Sequence, residues 1–110
     1  MGVNFVKQFR QAGLADRVIF LSAFTVDEAT LPAQQDAAVG FFGGANWAPD
    51  LDNPANRKFV SDYEKEFGSV PGTYAFQAYD AALLIDSALR QTKGSTADKT
   101  ALRAALARAD

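Results

Sequence analysis

Two stretches decide how this chain is read: Trp47-Ala-Pro-Asp-Leu-Asp-Asn-Pro-Ala-Asn-Arg-Lys-Phe59 and, further on, Tyr74-Ala-Phe-Gln-Ala-Tyr-Asp80. Asn53 suits a helix N-cap because its side-chain oxygen can accept from an early backbone N–H. Pro54 suits the first helical position, where its missing N–H is not needed. The spacing predicts a helix from Pro54 with Phe59, Val60, Tyr63 and Phe67 on one face, ended by Gly68. An extended segment turning sharply into a capped amphipathic helix, then a second helix opening with aromatic and amide side chains, suits a binding cleft better than a catalytic one.

Working outward, Val70-Pro-Gly72 has type II turn chemistry, with proline presetting φ and glycine supplying a positive φ. The helix after it, Thr73 to about Gln91, carries a broad apolar stripe through Phe76, Tyr79, Leu83, Ile85 and Leu89, and is expected to be the best buried. Gly94 breaks the pattern. Ser95, with Asp98 three residues on, predicts the cap of a last helix through Leu102, Ala105 and Leu106.

Toward the N-terminus, Phe5, Val6, Phe9 and Ala12 at helical spacing, closed by Gly13, predict a helix over residues 3–12. Its opposite face carries Lys7, Gln8 and Arg10. Val18-Ile-Phe-Leu21 is a short apolar run of the kind that forms a strand buried on both faces. Thr25 with Glu28 looks like a capping box for a short helix limited by Pro32. Phe41-Phe-Gly-Gly-Ala-Asn-Trp47 predicts a second strand, its glycines tolerable where a backbone or a ligand comes close. The sum is a helix-rich α/β chain with two parallel-type strands, too few to complete a covered sheet.

Composition narrows function. The chain has 110 residues, room for one modest domain. Eleven basic and thirteen acidic residues leave a net charge of −2, with no electrostatic footprint for nucleic acid or anionic lipid. Cysteine and histidine are both absent, which removes thiol nucleophiles, thiolate metal sites and the commonest general base. No stretch approaches the roughly eighteen apolar residues that a spanning helix needs. Met1-Gly2 runs almost directly into a helical pattern without a signal peptide, as though the chain began inside a longer protein.

Candidate chemistry is sparse. Asp50 and Asp52 open like a calcium loop, but Pro54, Ala55 and Ser61 stand where that loop needs other residues. Gly40, Gly43 and Gly44 do not form a phosphate-cradling fingerprint. Asp27 and Glu28 are adjacent, so on a helix they point about 100° apart and do not converge. Ser22 and Thr25 lie at the C-terminal end of an expected parallel strand, where open α/β sheets present residues to ligands. Trp47, where the chain leaves a strand, and Tyr74 and Phe76, at a helix start, can be read either as cleft lining or as core.

Asp36-Ala-Ala-Val-Gly40, Pro49 to Phe59, Gly68-Ser-Val-Pro71 and Gln77-Ala-Tyr-Asp-Ala-Ala82, in that order, resemble the periplasmic solute-binding proteins of the branched-chain amino acid class of ABC transporters, the aromatic-acid branch above all. The resemblance covers essentially the whole chain. It implies a type I fold of two doubly wound lobes closing about a hinge, of which this chain would be a fragment with its sheet incomplete. Residues 1–45 would belong to the second lobe, 46–49 to the hinge crossing and 50–110 to the first lobe.

The resemblance also implies a function: capture of a small carboxylated ligand, either an aromatic acid or a branched-chain amino acid, for delivery to an ABC permease, with no cofactor and no catalysis. Where amino-acid binders carry a glutamate for the ligand ammonium, this chain has Phe24, which cannot form a salt bridge with a cation, so an aromatic or keto acid is the expected ligand. The aromatic residue lining the cleft in the family corresponds to Tyr74. The expected ligand-binding residues are therefore Phe24, Thr25, Trp47 and Tyr74. The full-length parent would be periplasmic, and the fragment alone would associate as a homodimer or strand-exchanged oligomer. A ligand-sensing receptor domain of the same fold is the alternative function, and a small α/β enzyme a weaker third.

Overall fold

The structure, a computed structural model, describes residues 2–109. The chain divides into two compact units, one running to Tyr74 and one from Ala75 onward.

In the first unit α1 (Gly2–Gln11) forms where apolar periodicity requires it and stops at Gly13, whose φ of +68° suits the left-handed turn that ends a helix. Val6 on its inner face is fully buried. Phe5 and Phe9 meet Phe20 with ring centroids 5.8 and 5.2 Å apart, Phe9 stands edge-on to Phe41 at 5.6 Å, and Phe20 stacks on Phe41 at 4.6 Å. Such pairs each contribute about 0.5–1.5 kcal/mol beyond area burial. Arg10 turns back from the polar face. Its Nε donates to Ala37 O at 3.3 Å, its guanidinium also donates to Val39 O, and it lies 5.2 Å over the Phe41 ring.

The expected strand at 18–21 is shorter and less covered than its sequence suggests. β1 is Leu21–Ser22 and pairs in parallel with β2 (Phe42–Gly43), Leu21 opposite Phe42 and Ser22 opposite Gly43. Phe42 N donates to Phe20 O at 3.1 Å and Gly44 N to Ser22 O at 2.9 Å. The aromatic group from α1 covers one face only. Ile19, Leu21 and Phe42 are 74%, 75% and 63% exposed, so the strand is not buried on both faces. A two-stranded parallel ladder has no further strand among the described residues to extend it.

Between the strands the chain forms α2 (Leu31–Gln34) and a 3₁₀ turn (Gln35–Ala38), both packed against α1. The Thr25–Glu28 capping box does not form. The reciprocal pair is Asp27 and Thr30: Asp27 N donates to Thr30 Oγ1 and Thr30 N to Asp27 Oδ1, each at 3.0 Å. Pro32, expected to shorten the helix, instead occupies its first turn, where a missing N–H is harmless. α2 ends as Gln35 takes φ 50° and ψ −138°, a left-handed conformation that favours glycine.

α3 (Pro54–Phe67) follows its sequence closely. Asn53 Oδ1 accepts from Asn56 N at 2.8 Å, and Gly68 closes the helix at φ +67°. Trp47, Phe59, Tyr63 and Phe67 form a run of ring contacts at 6.0, 6.0 and 4.5 Å. Lys58 donates to Asp62 at 2.5 Å, and that hydrogen bond holds the Asp62 carboxyl below its ordinary value.

The second unit contains most of α4 (Thr73–Gln91) and α5 (Lys99–Leu106). Its buried residues are Ala88 and Ala105, whereas Leu83, Leu84 and Ile85 are 45%, 41% and 53% exposed. The long helix is thus not the best buried element, because its apolar stripe is left open. Asp98, not Ser95, caps α5, accepting from Thr100 N and Ala101 N at 3.0 Å. An aspartate oxygen directly ahead of the helix reaches the early N–H groups that Ser95 is too far back to meet.

Candidate ligand-binding site

Of the four expected site residues, the structure brings two side chains together. Phe24, in the loop just beyond the C-terminal end of β1, and Tyr74, in the first turn of α4, lie nearly parallel, with centroids 6.5 Å apart and planes 20° from coplanar. Both are open to solvent, Phe24 at 53% and Tyr74 at 73%. The end of a parallel strand is where open α/β sheets present ligand-contacting groups. An open depression of about 460 Å³ borders the same strand ends, lined by Leu21, Ser22, Ala23, Phe42, Gly43 and Gly44.

Glycine makes this meeting possible. A Cβ on Gly72 would lie 3.0 Å from Ala29 Cβ and 3.3 Å from Asp27 Oδ2, so only the bare backbone lets the start of α4 approach the loop carrying Phe24. The type II turn expected at Val70-Pro-Gly72 does not form in that way. Gly72 is not among the residues at positive φ, and its value lies in close approach rather than in the turn. Gly2 does the same at the other side of the loop, where a Cβ would meet Thr25 Cγ2 at 3.0 Å.

The loop itself is tied down through backbone groups. Thr25 N donates to Ser22 Oγ at 2.8 Å, and Thr25 O accepts from Gln34 Nε2 at 2.6 Å and from Thr30 Oγ1 at 3.3 Å. Thr25 therefore acts first as an anchor, with both its main-chain groups engaged, while its hydroxyl makes no hydrogen bond among the described residues. Sequence reasoning missed Gln34; nothing local marks a glutamine in a four-residue helix as a tie to a residue nine positions earlier.

Trp47 has a different setting. It is 7% exposed, its Nε1 donates to Asn56 Oδ1 at 2.7 Å, and its ring stands edge-on to Phe59. Asn56 Nδ2 in turn faces the carbonyls of Ala48, Pro49 and Leu51 at 3.3, 3.0 and 3.0 Å. Asn56 thus pins the extended segment that Trp47 opens, a role its position inside a helix did not advertise. Asp52 pairs with Arg57 at the surface. Among the described residues no group of three or more acidic side chains is placed to hold a metal ion. Among the described residues no helix is long and apolar enough to cross a membrane.

These features can be set beside known proteins. No curated protein matches the chain. Among solved structures, an ABC transporter substrate-binding protein from Sphaerobacter thermophilus matches with a TM-score of 0.85 and 30% identity over 96% of this chain. A solute-binding protein of an ABC transporter from R. palustris, solved in complex with benzoate, matches with a TM-score of 0.89 and 28% identity over 98% of this chain. The chain spans 29% of the length of each of these structures. The periplasmic binding protein family matches residues 1–110, from end to end, and with the helix-rich α/β architecture and the open parallel ladder this places the chain in that family.

Proposed function

We propose that this chain is part of the solute-binding component of an ABC transporter that captures a small carboxylate bearing a planar ring, an aromatic acid, and delivers it to a membrane permease by hinge closure. The observation that carries this reading is the Phe24–Tyr74 pair: two exposed, nearly parallel rings 6.5 Å apart at the strand ends. A planar ligand ring can stack on an exposed face of either side chain, or part the two walls to about 7 Å between planes, twice a contact distance of about 3.5 Å. Each stacked face would contribute about 0.5–1.5 kcal/mol. Thr25, next to Phe24 in the sequence, is the hydroxyl donor we assign to the carboxylate. With Phe24 where amino-acid binders carry a glutamate, an aliphatic amino acid would find no carboxylate at that position for its ammonium.

In this reading residues 1–45 belong to the second lobe, 46–49 to the crossing between lobes and 50–110 to the first lobe. Trp47 serves the crossing segment through Asn56. The parent protein is periplasmic and releases its ligand unchanged, without a cofactor. The benzoate-bound relative supports an aromatic acid over a branched-chain amino acid.

The test is a thermal-shift comparison of benzoate and leucine on the two-lobed protein that carries this chain. Benzoate at about 100 times its dissociation constant stabilises a binder by about 2.7 kcal/mol. Benzoate is expected to raise the unfolding temperature, leucine to leave it unchanged, and Phe24→Ala to abolish the benzoate effect. A leucine shift without a benzoate shift would overturn the assignment. The exposed Leu21 and Phe42 beside the two-stranded ladder also lead us to propose that the isolated chain pairs with a second copy by exchange of elements. Light scattering that finds a folded monomer at high concentration would remove that part.

A further inference from the structure

We infer that Gln34 is a positioning residue for Phe24, holding it at the separation from Tyr74 that a planar ligand requires; the inference rests on the reading of these two rings as ligand walls. Gln34 is 1% exposed and among the largest fully buried side chains. Its Nε2 donates to Thr25 O at 2.6 Å, whereas its Oε1 is buried and without a hydrogen-bond partner among the described residues. An amide oxygen buried in that way is unfavourable, and an unbranched apolar side chain such as methionine would fill much the same space without it.

Gln34 is the main donor to Thr25 O, since the single Thr30 hydroxyl proton lies closer to Asp27 Oδ1, at 2.9 Å, than to Thr25 O, at 3.3 Å. The amide therefore sets one short hydrogen bond against one buried, unanswered oxygen, and its net contribution to stability is small. What the amide does is join the Phe24 loop to α2. With Ser22 Oγ accepting from Thr25 N, the peptide groups on both sides of Thr25 are fixed, and with them the backbone from which Phe24 projects. The packing of Gly2 against Thr25 closes off movement from the α1 side. The hydrogen bond of Gln34 goes to the Thr25 carbonyl, so its effect on a ligand passes through the backbone that carries Phe24.

The deciding variant is Gln34→Met, studied first in the unliganded chain by NMR. The expected result is a folded chain whose unfolding temperature changes little, exchange of the Thr25 amide faster by about tenfold or more, and a weakened nuclear Overhauser effect between the Phe24 and Tyr74 rings. An unaltered exchange rate and an unaltered Overhauser effect would overturn the inference. So would loss of the fold, because the amide would then be structural.

A double-mutant cycle with Phe24→Leu, read as benzoate affinity in the two-lobed protein, gives the second arm. Gln34→Met is expected to weaken binding about tenfold when Phe24 is present and by less than about twofold when it is absent. Equal losses in both backgrounds would overturn the inference. If Phe24→Leu itself leaves benzoate affinity unchanged, the ligand assignment falls, and the exchange rate and the ring-to-ring Overhauser effect alone decide the role of Gln34.

Discussion

The two aromatic groups built around Trp47 and around Phe24 are made of similar side chains and held in opposite ways. Trp47 and Phe59 are 7% and 6% exposed, meet edge to face, and have their one polar ring atom answered by a buried asparagine. Phe24 and Tyr74 are mostly exposed, lie nearly parallel, and owe their separation to hydrogen bonds that involve neither ring. A buried cluster gains by closing every gap, since dispersion contacts and area burial both favour contact. A pair with centroids 6.5 Å apart and both rings mostly exposed buries little surface and gains little in isolation. The difference separates a group that stabilises the chain from one whose ring faces stay exposed.

Two substitutions probe that contrast. The larger effect is expected from Asn56→Ala, which strands the Trp47 indole N–H and releases the Ala48, Pro49 and Leu51 carbonyls. A loss of about 2–4 kcal/mol should follow, because the indole donor is buried and several bonds fail together. Denaturant unfolding followed by tryptophan fluorescence reads it directly. A loss below about 0.5 kcal/mol would mean that the cluster is held by packing alone. The Phe24 and Tyr74 rings should stay side by side through the change.

Gly72→Ala should do the reverse at smaller thermodynamic cost. The added methyl meets Ala29 Cβ at 3.0 Å, so the loop and the start of α4 have to part by a few tenths of an ångström. A destabilisation of about 1–2 kcal/mol is expected, with the Phe24 and Tyr74 rings driven apart and tryptophan emission unchanged. The Overhauser effect between the two rings reads the separation. If it persists at full strength, the close approach at Gly72 is not what brings the pair together.

What could be read in advance, and what could not, divides along the range of the forces involved. Asn53-Pro54 at the start of α3 and the glycines at positions 13 and 68 act on neighbours within one helical turn, so their sequence meaning and their structural meaning coincide. The capping pair is Asp27–Thr30 rather than the expected Thr25–Glu28 because several residues in one short loop can cap, and geometry rather than residue type selects among them. The apolar run at 18–21 and the stripe of α4 have the composition of buried elements, yet burial depends on what lies opposite, which no local pattern encodes.

The site is half legible for the same reason. Phe24 and Tyr74 stand out through family resemblance, and the structure sets them face to face. Gln34 and Asn56, which fix the two aromatic groups, reach across loops to main-chain oxygens and leave no periodic trace.

The ties around Thr25 span very short distances along the polypeptide: three residues from Ser22 to Thr25, three from Asp27 to Thr30, and nine from Thr25 to Gln34. Closing such small rings sacrifices little chain entropy, and it can happen quickly during synthesis. The cradle for Phe24 is therefore cast from its own stretch of polypeptide. It needs only the later arrival of Tyr74 to present a second wall.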